Sequence, residues 1–175
     1  MVVIKNCRRN KMFINYFRNK KMKNQYSENN CGFASDGSYI EDVLVKAKDR
    51  NIYLIRHIQY ADENNELTTF GIYKIFNNKD KPIGYLKYCL NDKDKNNMHM
   101  ILCDIHLDFP YRNIGLGSKT LALFEKRAKL YGAKFISGEL SDVDEQTPYD
   151  RVLRDEFYQR AEYEIVNLKK IYKVV

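Results

Sequence analysis

The stretch Leu107-Asp-Phe-Pro-Tyr-Arg112-Asn-Ile-Gly115-Leu-Gly117-Ser118 decides the fold of this 175-residue chain. It places an Arg-x-x-Gly-x-Gly pattern between a segment with strand periodicity and a segment with helical periodicity. Gly115 and Gly117 lack a Cβ, so they tolerate positive φ and let a ligand approach the backbone closely. The amides of the loop would point outward at the helix N-terminus, where the macrodipole is positive. The pattern therefore predicts a backbone anion site suited to a pyrophosphate, with charge added by Arg112 and a hydroxyl by Ser118.

Three kinds of anion-binding loop compete for this stretch. A Walker A loop requires Gly-x4-Gly-Lys-Ser/Thr, but Ser118 stands between Gly117 and Lys119, and the earlier glycine is missing. A dinucleotide-binding fingerprint requires a third glycine at position 120, which is Thr120. The third kind, Gln/Arg-x-x-Gly-x-Gly/Ala after a strand, matches residues 112–117. A glycine-rich turn without a ligand is the simplest alternative.

The segments around the loop predict a mixed α/β domain. Four segments of period two, joined by short polar connections, predict an antiparallel meander over residues 52–60, 68–76, 83–90 and 98–107. After the loop the period changes to 3.6, which predicts a helix over residues 118–131. A strand over residues 135–140 follows, so it should lie parallel to the fourth strand in a βαβ unit. A second helix should begin at Thr147-Pro148, and short strands over residues 163–166 and 171–175 should form a hairpin.

The N-terminal part differs from the rest in charge. The net charge is +7, but residues 1–26 hold eight basic and no acidic residues, which leaves 22 basic against 23 acidic residues in 27–175. We therefore expect a solvated, disordered basic arm over 1–26, a linker with a short helix at 40–47 over 27–50, and one domain over 51–175. An organellar transit peptide, or translation from Met12 or Met22, are alternatives for the arm.

Composition excludes several classes of protein. A chain that is 44% hydrophobic and 13% aromatic is not disordered throughout. No apolar run approaches the roughly 18 residues of a membrane-spanning helix, so no membrane partner is expected. The four cysteines form no Cys-x-x-Cys pair and no secretory signal is present, which favours reduced thiols in a cytoplasmic protein. Cys89 and Cys103 should be small buried hydrophobes in neighbouring strands.

Two separated segments resemble the GNAT superfamily of N-acetyltransferases. Residues 112–117 resemble its coenzyme A loop, and Phe157-Tyr158-Gln-Arg-Ala-Glu162-Tyr163 is similar to the Phe-Tyr-x-x-x-Gly-Phe segment that follows that loop. The resemblance covers about residues 52–175. The sequence departs from the family at Asn113 and Glu162, where glycine is usual. Asn113 is compatible if its φ is negative, whereas Glu162 would be strained in the left-handed conformation.

The resemblance implies acetyl transfer from acetyl-CoA to a primary amine by direct attack in a ternary complex. The fourth and fifth strands of the family splay apart, and the pantetheine arm lies in the gap. Main-chain groups of Ile105, His106 and Leu107 would bind that arm, and one amide would polarise the thioester carbonyl. The pyrophosphate would bind the loop, whose residues are Arg112, Asn113, Ile114, Gly115, Leu116, Gly117 and Ser118. A homodimer that pairs residues 171–175 is a further analogy with the family.

The resemblance also implies candidates for the catalytic residues. Tyr158 matches the tyrosine that protonates the departing thiolate in many members, and a phenol with a pKa of about 10 holds its proton at neutral pH. Glu139, beside the gap, is the first candidate for the base that deprotonates the amine. Asp104 and His106 on the fourth strand are the alternatives.

Strand alternation argues against a metal site. It should place Asp104 and His106 on the face of the fourth strand opposite His99 and Cys103, so the four side chains would not converge. The sequence also lacks His-Glu-x-x-His and paired Cys-x-x-Cys motifs. No metal is therefore predicted.

The acceptor is not defined by the sequence. Acidic residues near the gap favour a cationic amine, such as a polyamine, an aminoglycoside-like amine, a lysine or a peptide N-terminus. The alternative function is a catalytically weak acyl-CoA-binding regulatory module, tethered to nucleic acid by residues 1–26, where aromatic side chains are interleaved with charge. A toxin of a toxin–antitoxin pair or a resistance enzyme is a third reading.

Overall fold

Nine strands form one sheet in the computed structural model, which describes residues 31–33, 39–59, 68–76, 79–91, 97–141 and 148–175. Their order across the sheet is β1-β2-β3-β4-β5-β6-β7-β9-β8. All neighbouring strands are antiparallel except β6 and β7, which are parallel. The strands are β1 (Cys31–Phe33), β2 (Tyr39–Lys46), β3 (Ile52–Gln59), β4 (Thr68–Phe76), β5 (Lys79–Asn91), β6 (His99–Leu107), β7 (Phe135–Glu139), β8 (Glu164–Val166) and β9 (Lys170–Val174).

The helix predicted at residues 40–47 is wrong, because this segment forms strand β2. All eight of its residues pair with β3, and Arg56 of β3 donates to Asp42 from its Nε at 2.8 Å. The segment contains two valines, Val43 and Val45, whose branched side chains suit a strand better than a helix. Long-range pairing therefore decides its structure, and the sheet also takes in β1 from the stretch interpreted as linker. The basic arm over 1–26 lies outside the described residues.

Two helices follow the meander in the described part of the chain: α1 (Leu116–Tyr131) and α2 (Pro148–Arg160). Helix α1 buries Leu121 and Phe124 against the sheet, and the Phe124 ring lies 5.1 Å from that of Tyr88 on β5. Burying each such side chain contributes about 1.5–3 kcal/mol. Gly132, with φ of 75°, ends the helix as predicted. Neither α1 nor α2, the helices of the described ranges, is long and apolar enough to cross a membrane.

A β-bulge in β6 overturns the alternation expected from the sequence. Lys87 pairs with Asp104 and Tyr88 pairs with Leu102, so Cys103 is the extra residue. Cys103 consequently lies on the same face as Asp104, with its Sγ 3.9 Å from that of Cys89. The prediction that alternation separates Cys103 from Asp104 is therefore wrong. The prediction that Cys103 is buried is also wrong, because it is exposed.

Strands β6 and β7 diverge as predicted. Four residue pairs join them, from His99 with Phe135 to Leu102 with Gly138. Beyond Leu102, β6 continues to Leu107 without pairing with β7. Gly138 permits this vertex, since a Cβ there would lie 2.8 Å from the Leu102 carbonyl oxygen and 3.1 Å from Ile171. A gap therefore opens at the carboxyl ends of the two parallel strands.

Candidate functional site

A cavity of about 500 Å³ occupies this gap. Its walls come from the end of β6, the glycine loop, the end of β7 and one face of α2. Ten of the twelve predicted site residues line it: Ile105, His106, Leu107, Arg112, Asn113, Gly115, Gly117, Ser118, Glu139 and Tyr158. The other two lie elsewhere, since Leu116 is fully buried in the core and Ile114 packs against the core beside the loop.

The glycine loop leaves backbone donors without intrahelical partners at the start of α1. Gly115 caps the helix with φ of 86° and no side-chain cap bond. The Lys119 amide donates to the Gly115 carbonyl at 3.2 Å, so the amides of residues 116–118 precede the hydrogen-bond ladder of the helix. No acidic residue stands in the first turn. This end of α1 therefore favours an anion through both its amides and its dipole.

Asn113 does not have the negative φ that was the condition for its compatibility. Its φ is 63°, in the left-handed region, where asparagine is tolerated better than most side chains. The loop thus needs the conformation that glycine adopts most easily, and asparagine supplies it. Glu162 also adopts the left-handed conformation, with φ of 64°, so the strain expected there is present.

Arg112 fastens the loop to the strand that precedes it. Its Nε donates to the Leu107 carbonyl at 2.8 Å, across a single 3₁₀ turn at Phe109–Tyr111. The amide of Asp108 also donates to Ile83 of β5 at 2.9 Å. The end of β6 and the loop are therefore held together, with the guanidinium of Arg112 at the cavity wall.

Helix α2 closes the cavity from the other side. A Cβ on Gly117 would lie 3.3 Å from the Phe157 ring, so the missing side chain lets α2 approach α1 closely. Tyr158, the next residue, is only 6% exposed, and its ring meets those of Phe157 and Tyr163 at 5.0 and 5.8 Å. Burial raises the pKa of Tyr158 to about 12, with a further contribution from Asp104, while Arg154 opposes the shift. The phenol at the cavity wall therefore keeps its proton at neutral pH.

The two candidate carboxylates differ in their surroundings. The side chain of Glu139 is 85% exposed, and its Oε1 lies 4.0 Å from the Lys170 ammonium. Asp104 accepts a hydrogen bond from the Tyr85 hydroxyl at 2.8 Å and is near enough to Tyr158 to raise its pKa. Both carboxylates line the cavity, and Asp104 is the one whose position a hydrogen bond fixes.

His106 belongs to the cluster around Asp104. Its ring stacks on Tyr85 with centroids 5.7 Å apart, and its Nε2 lies 3.6 Å from Asp108. Lys87 lies over the Tyr85 ring, with its Nζ 4.6 Å from the ring centroid. Tyr85 therefore positions both Asp104 and His106 beside the bulge, a role that the sequence pattern did not indicate.

Several residues that line the cavity were not predicted as site residues from the sequence. Asp150, Leu153, Arg154 and Phe157 share a face of α2 with Tyr158, so their helical spacing from Tyr158 could have identified them. Lys48 comes from the turn after β2, far away in the sequence, and nothing local marks it. Within the residues that the structure describes, no group of three or more His, Cys, Asp and Glu side chains is placed to hold a metal ion.

Sequence comparisons find no relative: no family model matches the chain, and no curated protein matches it significantly. Solved structures do match. A Klebsiella pneumoniae protein whose name assigns it to the acyl-CoA N-acyltransferases has a TM-score of 0.50 at 14% identity, over 65% of this chain and 76% of its own. The NatC complex, solved with Gag peptide and CoA, has a TM-score of 0.50 at 11% identity, over 61% and 70%.

A third structure is a Desulfovibrio desulfuricans protein of the GNAT family, with a TM-score of 0.48 at 19% identity, over 63% of this chain and 69% of its own. Identities this low carry information about the fold alone. The two matches at 0.50 show that this chain shares their overall fold. The chain therefore has the acetyltransferase fold that the resemblance to the GNAT superfamily predicted.

Proposed function

We propose that the chain is an N-acetyltransferase that moves the acetyl group of acetyl-CoA to a primary amine by direct attack in a ternary complex. The observation that carries this proposal is the cavity between β6 and β7, which joins the helix N-terminus at the glycine loop, the end of β6 that no longer pairs with β7, and a protonated phenol. The NatC structure with CoA supports it as an example of coenzyme binding on the same fold.

The loop and the strand end suit different parts of the coenzyme. The amides of residues 116–118 and the guanidinium of Arg112 offer donors to a pyrophosphate. Beyond Leu102, β6 no longer pairs with β7, so main-chain groups of residues 105–107 are available on that side to an extended amide-containing chain such as pantetheine. A thioester at the inner end of such a chain would lie near the bulge.

The proton balance of the transfer assigns roles to two side chains. The amine nitrogen forms a bond to the acetyl carbon, the carbon–sulfur bond breaks, and the thiolate takes the proton of Tyr158. The proton of the attacking amine goes to a carboxylate. We infer that Asp104 is this base, because it lines the same cavity as Tyr158 and Tyr85 fixes its position, while Glu139 remains the candidate that the sequence favoured.

Thiol release from acetyl-CoA, measured across a panel of amines, tests the proposal. The panel contains a polyamine, an aminoglycoside, free lysine and a peptide with a free N-terminus. We expect amine-dependent release, with acetylated product confirmed by mass. Binding of acetyl-CoA without release by any amine would favour a regulatory acyl-CoA-binding module, and no binding at millimolar acetyl-CoA would overturn the proposal.

A further inference from the structure

Two cysteines on neighbouring strands meet at the β-bulge next to Asp104. Cys89 belongs to β5 and Cys103 to β6, and their Sγ atoms lie 3.9 Å apart. Cys103 is the extra residue of the bulge, and in the described strands it pairs with no residue of β5 or β7. The bulge therefore turns the Cys103 side chain toward Cys89, which is 14 positions away in the sequence.

The two thiols differ in exposure and in their hydrogen bonds. Cys103 is exposed and lines the cavity in the gap, whereas Cys89 is half-buried. The Cys103 thiol donates to Cys89 Sγ and also lies 3.5 Å from the Ile101 carbonyl oxygen. Although part of the residue is exposed, partial burial of its thiol raises the pKa of Cys103, and Cys89 raises it further. Cys103 therefore keeps its proton at neutral pH, and Cys89, whose sulfur accepts this hydrogen bond, is better placed to react as a thiolate.

We propose that Cys89 and Cys103 are a reversible oxidation site, at which a peroxide produces a disulfide that slows acetyl transfer in the gap. A disulfide requires a sulfur–sulfur distance of about 2 Å, so the two sulfurs must approach each other by about 2 Å. The backbone at Cys103 has room for this movement, because it lacks a strand partner on either side.

The reaction consumes one hydrogen peroxide and releases two water molecules. The Cys89 sulfur attacks a peroxide oxygen, the oxygen–oxygen bond breaks, and Cys89 becomes a sulfenic acid as the first water leaves. The Cys103 sulfur then attacks the Cys89 sulfur, the sulfur–oxygen bond breaks, and the second water leaves with the Cys103 proton. The two thiols are oxidised by two electrons, and the peroxide is reduced. Oxidation of Cys89 also removes the thiolate charge that helps to hold the proton on Cys103.

The disulfide would act on the gap through Asp104, the residue that follows Cys103. The Asp104 carboxylate accepts from the Tyr85 hydroxyl at 2.8 Å, and both Cys103 and Asp104 line the cavity. Movement of Cys103 toward β5 would shift the backbone of Asp104, and a displacement of about 1 Å near the reacting atoms can lower a rate about 10²-fold. The effect on acetyl transfer rests on the proposed function, whereas formation of the disulfide does not.

Mass spectrometry of protein treated with hydrogen peroxide tests the oxidation site. In Cys7→Ser/Cys31→Ser the only thiols of the chain are those of Cys89 and Cys103. We expect this variant to lose two hydrogen atoms, to yield a peptide that joins Cys89 to Cys103, and to regain both thiols with dithiothreitol. Once the peroxide is removed, thiol release from acetyl-CoA should be about tenfold slower or more, and dithiothreitol treatment should restore it.

Addition of Cys89→Ser to this variant provides the matched control. It removes one sulfur of the pair and lies outside the cavity, so the mass loss should disappear and thiol release should resist peroxide. Equal urea midpoints of the reduced variants verify that the serine substitutions leave the fold intact.

The outcomes separate the disulfide from the proposed function. Two thiols that stay reduced, or that gain oxygen without losing hydrogen, would overturn the oxidation site. A disulfide that leaves thiol release unchanged would overturn its effect on acetyl transfer. Reduced protein that binds acetyl-CoA but releases no thiol with any amine would overturn the proposed function, while a mapped disulfide would still establish the site.

Discussion

Tyr88 and Tyr158 are two buried tyrosines with raised pKa in very different surroundings. Tyr88 is 2% exposed and Tyr158 is 6% exposed, and burial is the main cause of both shifts. Tyr88 lies beneath α1, where it packs against Phe124, and it shares a hydrogen bond of 2.8 Å with His57. Tyr158 lines the cavity where β6 and β7 part. Burial therefore raises the pKa of both phenols, and the divergence of two strands decides which of them faces a cavity.

Removing the hydroxyl group of each tyrosine tests the difference between Tyr88 and Tyr158 most directly. We expect Tyr158→Phe to lower kcat about 10²–10⁴-fold, because the departing thiolate loses its proton donor. Tyr88→Phe should leave kcat unchanged and lower the free energy of unfolding by about 1 kcal/mol, since His57 loses its partner. Steady-state thiol release and urea unfolding measure the two effects. A Tyr158→Phe enzyme with wild-type kcat would show that the phenol only packs.

The carboxylates of the gap give the next largest effect. Asp104→Asn should lower kcat/KM about 10²-fold at neutral pH, whereas Glu139→Gln should change it by about twofold or less. The reason is that Tyr85 fixes the Asp104 carboxylate at the cavity wall, while the Glu139 side chain is 85% exposed and lies near Lys170. A pH profile of kcat/KM checks the assignment, because the limb that belongs to the base should disappear in Asp104→Asn. The reverse ranking would identify Glu139 as the base.

The vertex of the gap should be sensitive to a single methyl group. Gly138→Ala would place a Cβ against the backbone oxygen of Leu102, which cannot move as a flexible side chain does. We expect a loss of about 1–3 kcal/mol in the free energy of unfolding, from overpacking. The neighbouring Ser137→Ala is the matched control on the same strand and should stay near the wild type in urea unfolding. An unchanged midpoint for Gly138→Ala would show that β6 and β7 shift apart freely.

The closed cluster beneath α1 predicts acid sensitivity. Burial lowers the pKa of His57 from 6.5 to about 3, and nearby Arg127 adds to the shift. The unfolded chain therefore binds a proton that the folded chain excludes, so stability present above pH 6.5 is lost as pH falls toward 3, at up to about 1.4 kcal/mol per pH unit. His57→Gln should flatten this slope in unfolding measured between pH 7 and pH 4. An equal slope in wild type and variant would contradict it.

The sequence predicted the residues that short local patterns bring to the gap better than those that distant segments bring there. Arg112, the two loop glycines and Tyr158 were found because each stands at a fixed place within a short pattern, and local patterns survive in a single sequence. The bulge at Cys103 was missed, because an extra residue in one strand is visible only against its partner in β5. Tyr85 and Lys48 were missed for the same reason, since each reaches the site through contacts between distant segments.

The fold, too, was predicted where local patterns decide the structure and missed where contacts between distant segments decide it. Strand periodicity over the meander and helical periodicity after the loop predicted the elements that bury a regular apolar face. The error at residues 40–47 arose because the pairing of β2 with β3 decides the structure of this segment. A segment of eight residues carries too little local preference to resist a complete strand ladder, so its structure depends on its neighbour.

The smallest expected effects concern the two positions where the family usually has glycine. Asn113 and Glu162 both have positive φ, at 63° and 64°. Asparagine tolerates this region and glutamate does not, so Glu162→Gly should raise the free energy of unfolding by about 0.5–1 kcal/mol, whereas Asn113→Gly should change it little. Loss of the exposed contact between Glu162 and Lys173, at 3.9 Å, should cost little of that gain. Urea midpoints of the two variants decide the matter, and a larger gain at Asn113 would mean that the loop, and not the turn after α2, holds the strain.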